Sequence, residues 1–157
     1  MQILVFRHGE AEYTLGNDCD RELTQRGRLQ LAANISAKKP LLTGADLLLS
    51  SPYIRAVQSA REVNGQLSRP LTISERDWLV PSAVASESIV FLDDLVGQKQ
   101  SQSVVIITHL PFVAAFIECL CGLASGTVHM GTGSLAVIDA SVIAAGCGDL
   151  REIVHAS

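Results

Sequence analysis

Residues 103–109 read Ser-Val-Val-Ile-Ile-Thr-His. Four β-branched apolar residues in a row, with no polar residue among them, suit a strand buried on both faces, the kind found in parallel sheets covered by helices. Shorter runs of the same type occur at Ile3–Phe6 and Ala45–Leu49. Helical stretches separate them. Leu23–Ile35 has Thr24 as a cap and Leu29, Ala32, Ala33 and Ile35 as its apolar positions. A second helix opens at Ser51-Pro52, a good N-cap followed by a residue suited to the first turn, and runs to about Leu67, burying Ile54, Val57, Ala60 and Leu67. Ser88–Val96 is a third, and Pro111 to about Cys121 a fourth. Leu71–Ile73 is a candidate short strand; Ser134–Asp139 and Leu150–Val154 are late strands joined through Gly146–Gly148, and Pro40 and Gly44 punctuate the chain. Strands alternating with helices predict an α/β protein: a three-layer α/β/α sandwich with a mostly parallel central sheet, in one domain spanning residues 1–157.

The 157 residues are 48% hydrophobic and 18% charged, enough for a substantial core. Net charge is −4 and the isoelectric point near 5.5, so general binding to nucleic acid or to an anionic membrane is not expected. The apolar start Met1–Phe6 is too short for a leader, and no run approaches the roughly 20 residues of a membrane span. Cys19, Cys119, Cys121 and Cys147 lack disulfide-framework or zinc spacing and read as free thiols in a cytoplasmic protein.

In a parallel sheet, ligands sit beyond the carboxyl ends of the strands. The residues just after the three apolar strands are Arg7-His8-Gly9, Ser50-Ser51-Pro52 with Arg55 one turn on, and Thr108-His109. They are predicted to converge. Two guanidinium groups offer planar forks that match phosphate oxygens, although arginine-rich edges also bind carboxylates. A neutral histidine is a competent nucleophile, and a second one kept protonated would stabilise phosphoryl charge. Structural histidines at strand ends remain the alternative at this level.

The motifs around these residues are more specific. Arg7-His8-Gly9 after an N-terminal strand, Leu23-Thr24-Gln25-Arg26-Gly27, the run Ser50-Ser51-Pro52-Tyr53-Ile54-Arg55-Ala56-Val57-Gln58-Ser59-Ala60, and Thr108-His109 after a Val/Ile strand occur in that order. Together they resemble the histidine phosphatase superfamily, the phosphoglycerate mutase-like proteins. Asp18 followed by Arg21-Glu22-Leu23-Thr24, His109-Leu110-Pro111, and the near absence of cap-forming insertions are similar to its bacterial phosphohistidine phosphatase branch. The resemblance implies the phosphoglycerate mutase-like fold. It makes His8 the nucleophile that becomes phosphohistidine, and Arg7, Arg55 and His109 the ligands of the phosphoryl oxygens. Arg21 would add a further cation, Asp18 would orient Arg21 or a histidine, and Gly9 would allow close backbone approach. It implies no cofactor and no metal. The expected partner is a phosphorylated histidine-phosphotransfer domain or another phosphohistidine protein of two-component signalling, met by a monomer.

One departure from the superfamily pattern bears on the substrate. The segment that elsewhere carries a proton-donating carboxylic acid reads Trp78-Leu79-Val80-Pro81-Ser82-Ala83. Loss of general acid help typically costs ~10²–10⁴ in rate for a poor leaving group. Imidazole, with a pKa of about 6.5, leaves more readily than an alkoxide. The sequence therefore favours P–N over P–O cleavage, with Asp18, Glu10 and Glu87 as residual candidate donors. A small-molecule phosphomonoesterase and a phosphoryl-binding module with negligible turnover are the alternatives. Asp18 and Arg21 also read as a plain loop ion pair. His129, His155 and Asp93-Asp94 read as surface residues, Gly131–Ser134 as a turn before a strand, and Trp78 as packing or a rim toward a partner.

Overall fold

A computed structural model describes residues 1–156. Alternating side chains of the central strands feed two separate cores. Leu4 and Phe6 of β1 (Gln2–Arg7), Leu48 of β2 (Leu47–Ser50), and Val105 and Ile107 of β4 (Ser103–Thr108) pack on one face. Their partners there are Leu31 and Ile35 of α1 (Gln25–Ala37) and Ala56, Ala60 and Val63 of α3 (Ile54–Gln66). Ile3, Val5, Leu49, Val104 and Ile106 point the other way. They meet Ile89 and Leu92 of α4 (Ala85–Lys99) and Val113, Phe116 and Ile117 of α5 (Phe112–Cys121). Period-two alternation on a strand apolar at every position thus gives two apolar faces, each needing a layer of helices.

The sheet has six strands in the order β3-β2-β4-β1-β5-β6, with β3 at Ile73–Glu75, β5 at Leu135–Ala140 and β6 at Gly148–Val154. The first four by position are parallel; β5 runs antiparallel to β1, and β6, antiparallel to β5, returns to the common direction. This is the mostly parallel three-layer arrangement that the alternation predicts.

Several local expectations shift. A short helix α2, Lys39–Leu42, begins where Pro40 was read as punctuation; proline is well tolerated in a first turn, and Pro40 sits there. The ends of α4 extend beyond Ser88–Val96 on both sides. The inner face of α1 is Gly27, Gln30, Leu31, Asn34 and Ile35, while Leu29 is 64% exposed and Ala32 and Ala33 face outward. Similarly, α3 starts at Ile54 with Tyr53 before it, so Ser51 is not its cap. Its buried face is Arg55, Ala56, Ser59, Ala60 and Val63; Ile54 is 37% exposed, and Val57 and Leu67 are only partly buried. Both helices are rotated so that polar residues point inward, because the strand-end loops beneath them hold backbone groups that need hydrogen-bond partners.

Candidate active site

Strand register brings the predicted groups together. Arg7 pairs with Thr108 and Ser50 with Ile107, so His8, Ser51 and His109 all emerge at one edge of the sheet. The turns are stitched at the same level: the His8 N–H donates to the Thr108 carbonyl at 3.0 Å and the Ser51 N–H to the Ile107 carbonyl at 3.0 Å. The His8 and His109 rings lie 5.0 Å apart between centroids.

His8 is buried and oriented. Its Nδ1 lies 2.7 Å from the Gly9 carbonyl, and Arg55 Nε–H points at its Nε2 from 3.2 Å. A carbonyl accepts only, so Nδ1 carries the proton and Nε2 keeps its lone pair. Burial, with the positive charges of Arg55, Arg7 and Arg21, lowers the His8 pKa to about 4 against the opposing effect of the Gly9 carbonyl. His109 bonds through Nε2 to Ser51 Oγ at 2.7 Å and meets the Tyr53 ring at a tilt of 59°, with 5.0 Å between centroids. Burial first, then His8 and Arg55, bring its pKa down to about 2. In the free protein, with Arg55 and Arg7 nearby and little water, the neutral ring is preferred; the expectation of a protonated ring concerns the state with phosphate beside it.

Arg55 is held from several sides. Its Nη1 donates to the Asp18 carbonyl at 2.6 Å and its Nη2 to Asp18 Oδ2 at 3.0 Å, while its guanidinium carbon sits 5.2 Å above the Tyr53 ring. Asp18 Oδ1 also accepts from Arg21 Nη1 at 3.1 Å. Asp18 thus orients two arginines at once, joining both readings of the Asp18–Arg21 pair. Partial burial would raise its pKa, but the hydrogen bonds and charges of Arg21 and Arg55 prevail and hold it below the usual value. Arg7 Nη1 donates to the Met130 carbonyl at 2.9 Å.

The open pocket has a volume of about 340 Å³, and Arg7, His8, Asp18, Arg21, Arg55 and Thr132 are among its lining residues, with Glu10, Pro81 and Leu110. Gly9 is not among them. An added Cβ on Gly9 would lie 2.5 Å from the Gly27 carbonyl oxygen, so its close approach is to α1 rather than to a ligand. Of the residual proton donors, Glu87 lies in a different groove with Trp78 and Phe91. Glu10 is occupied at both oxygens, by Thr24 Oγ1 at 3.0 Å and by Arg26 at 3.3 Å. Asp18 is committed to its arginines.

Some supporting residues escape a reading of the sequence. Ser59 accepts from the Gly9 N–H at 3.1 Å and donates to the Arg55 carbonyl at 2.7 Å. Gln30 Oε1 accepts from the Glu10 N–H and from Thr132 Oγ1, each at 3.1 Å, and Asn34 Nδ2 donates to the Gly133 carbonyl at 2.9 Å. The Gly133 N–H in turn donates to the His8 carbonyl at 2.9 Å, so the Gly131–Ser134 turn also braces the site. The only available signal was position: Ser59 follows Arg55 by one helical turn, and Gln30 and Asn34 are four apart on one face.

The sequence profile described as the histidine phosphatase superfamily (branch 1) matches residues 3–77. The chain is 30% identical over 131 residues to a phosphohistidine phosphatase SixA homolog of Haemophilus influenzae, covering 78% of each protein. The chain belongs to the histidine phosphatase superfamily. A second relative in this superfamily is phosphohistidine phosphatase SixA of Escherichia coli strain K12, 29% identical over 121 residues, with 77% of this chain and 74% of that protein covered. The histidine phosphatase fold is matched in the structure of protein histidine phosphatase SixA complexed with tungstate, with a TM-score of 0.87, 24% identity, and coverage of 99% of this chain and 97% of that one. Phosphoserine phosphatase of Entamoeba histolytica shares the fold with a TM-score of 0.75 at 15% identity, covering 97% of this chain and 95% of that one.

Proposed function

We propose that this chain is a phosphohistidine phosphatase that acts, as a monomer and without a metal or cofactor, on histidine-phosphotransfer domains or other phosphohistidine proteins. The observation that carries the reading is the state of His8: neutral, fixed at Nδ1 by the Gly9 carbonyl, with the Nε2 lone pair turned into a pocket of arginines. The names of the SixA relatives support the substrate class.

In the first step the His8 Nε2 lone pair forms a bond to phosphorus as the P–N bond to the substrate imidazole breaks, and that imidazole leaves carrying a proton. In the second, water adds to phosphorus, the Nε2–P bond breaks, and inorganic phosphate departs. Arg7, Arg21 and Arg55 neutralise the phosphoryl oxygens through both steps. Arg7 Nε and His109 Nδ1 are buried without a protein partner among the described residues, a cost that a bound oxyanion within reach would offset. Its dianionic charge would raise the His109 pKa and let the ring join the stabilisation. The carboxylates at the pocket are already engaged, which supports a leaving group needing little acid help.

The test is phosphate release from a phosphohistidine protein and from p-nitrophenyl phosphate side by side, with His8→Ala as the blank and EDTA present in a parallel series. Release from the protein alone, abolished by the substitution and indifferent to EDTA, is expected. Comparable release from the ester would favour the phosphomonoesterase reading, with Glu10 at the pocket wall as the donor. Unchanged binding of the phosphoprotein with no release would favour a binding module.

A further inference from the structure

A second groove, of about 580 Å³, lies along the edge strand β3 and shares no lining residue with the catalytic pocket. Three cations line it: Arg69, Arg76 and Lys99. Among the described residues none of the three forms an ion pair, although most other basic residues of this acidic chain do. Arg76 Nε is moreover buried with no hydrogen-bond partner. A guanidinium N–H kept from both water and protein acceptors is costly unless a ligand completes it.

The walls are built rather than loose. Asn64 clamps the loop carrying Arg69 by bonding both the N–H and the carbonyl of Leu71, at 2.8 and 2.7 Å. Across the groove, Asp46 ties down the turn after α4, accepting from Ser101 Oγ and from the Gln102 N–H at 2.8 Å. Asp46 is the one carboxylate among the lining residues against three cations, of which Arg76 also borders a neighbouring groove with Asp94. The C-terminal end of α4 adds partial negative charge, which Lys99 in its last turn offsets. Leu47, Pro70 and Leu71 supply an apolar surface beside the charges. A preformed groove of this size suits a small molecule.

We propose that this groove binds a small molecule carrying two or more phosphate charges on an apolar or aromatic body, of which a nucleoside diphosphate is the type. Guanidinium forks at Arg69 and Arg76 hold the phosphates, and Leu47, Leu71 and Pro70 receive the body. The site is independent of the catalytic reading and stands or falls separately from it.

Titration of ADP into the isotope-labelled protein, followed by amide NMR, tests the proposal, because residue-resolved shifts separate the two pockets. Saturable shifts at Leu71, Ser74, Arg76 and Lys99 are expected, whether or not those of His8 and Arg55 also move. Arg76→Gln should weaken this binding roughly tenfold or more, the scale of a lost charge-assisted hydrogen bond. Lys99→Gln, at an exposed position where misfolding is not a concern, should weaken it less, and both variants should keep wild-type phosphatase activity. Shifts confined to the catalytic pocket at millimolar ADP would overturn the proposal. So would equal binding of uncharged adenosine, indifference to both substitutions, or binding of an acidic peptide but not of ADP.

Discussion

Burial and three neighbouring guanidinium groups keep the His8 ring neutral down to about pH 4, and His109 is held neutral further still, to about pH 2. The proton left on His8 is placed by one acceptor, the Gly9 carbonyl, so the lone pair of the free ring lies on Nε2, the nitrogen that attacks in the proposed reaction. Histidine ring resonances should therefore show that neither residue titrates near the ordinary value of about 6.5. Adding tungstate should move the His109 transition upward, because an oxyanion replaces repulsion from cations with attraction. A His8 transition near pH 6.5 in the free protein would contradict the neutral nucleophile.

At the scale of elements, α1 is as much a part of the site as the strands. Thr24 caps it, accepting the Gly27 N–H at 2.9 Å, and also donates toward Glu10. Gly27 and Gly9 let the helix and the nucleophile loop touch backbone to backbone: a Cβ on Gly27 would stand 2.2 Å from the Glu10 carbonyl oxygen. That distance leaves no room for a methyl group, and the obstacle is backbone rather than a side chain that could turn aside. Gly27→Ala is expected to destabilise the protein by about 1–3 kcal/mol, the usual cost of overpacking, and to lower turnover by more than that loss of stability explains, because His8 is displaced with the loop. Thr24→Ala should cost about 1 kcal/mol through the lost cap and affect turnover far less. Denaturant midpoints measured beside single-turnover rates separate the two effects. Equal activity losses at equal stability would show that α1 is only a packing element.

Across the whole molecule, a net charge of −4 coexists with a catalytic pocket lined by Arg7, Arg21 and Arg55. Attraction of a phosphoryl group is thus local, as the acidic composition requires. Among the described residues no helix is long and apolar enough to cross a membrane. Keeping two buried histidines neutral also shapes global stability. Each has a folded pKa below its unfolded value of about 6.5, so the unfolded chain binds more protons as pH falls under that value. Their contribution is complete above about pH 6.5 and declines as pH drops toward the folded values, with a slope of at most about 1.4 kcal/mol per unit for each ring. Urea midpoints between pH 7 and 5 should fall, and less steeply in His109→Gln. Identical slopes in the two proteins would remove His109 from the account.

The three central strands and the residues at their carboxyl ends were legible in the chain because strand periodicity and strand-end position are local properties, whereas the short strand expected at Leu71–Ile73 forms at Ile73–Glu75. Ile3–Phe6 and Ser103–Thr108 are apolar at nearly every position, and such a run has few alternatives to a covered parallel sheet. His8, Arg7, Arg55 and His109 follow from that placement and from motifs that are each only a few residues long. The rotation of α1 and α3 was not legible. Leu29 and Ile54 are the apolar residues a helix would be expected to bury, yet the inward positions went to Gln30, Asn34, Arg55 and Ser59. Those polar groups answer backbone atoms of Glu10, Gly133, Asp18 and Gly9, which lie 20 to 99 residues away and meet them only once the sheet has formed. The protonation of the two histidines belongs to the same class. It depends on desolvation and on the distances among charges from three strand ends, and only the tertiary structure sets those.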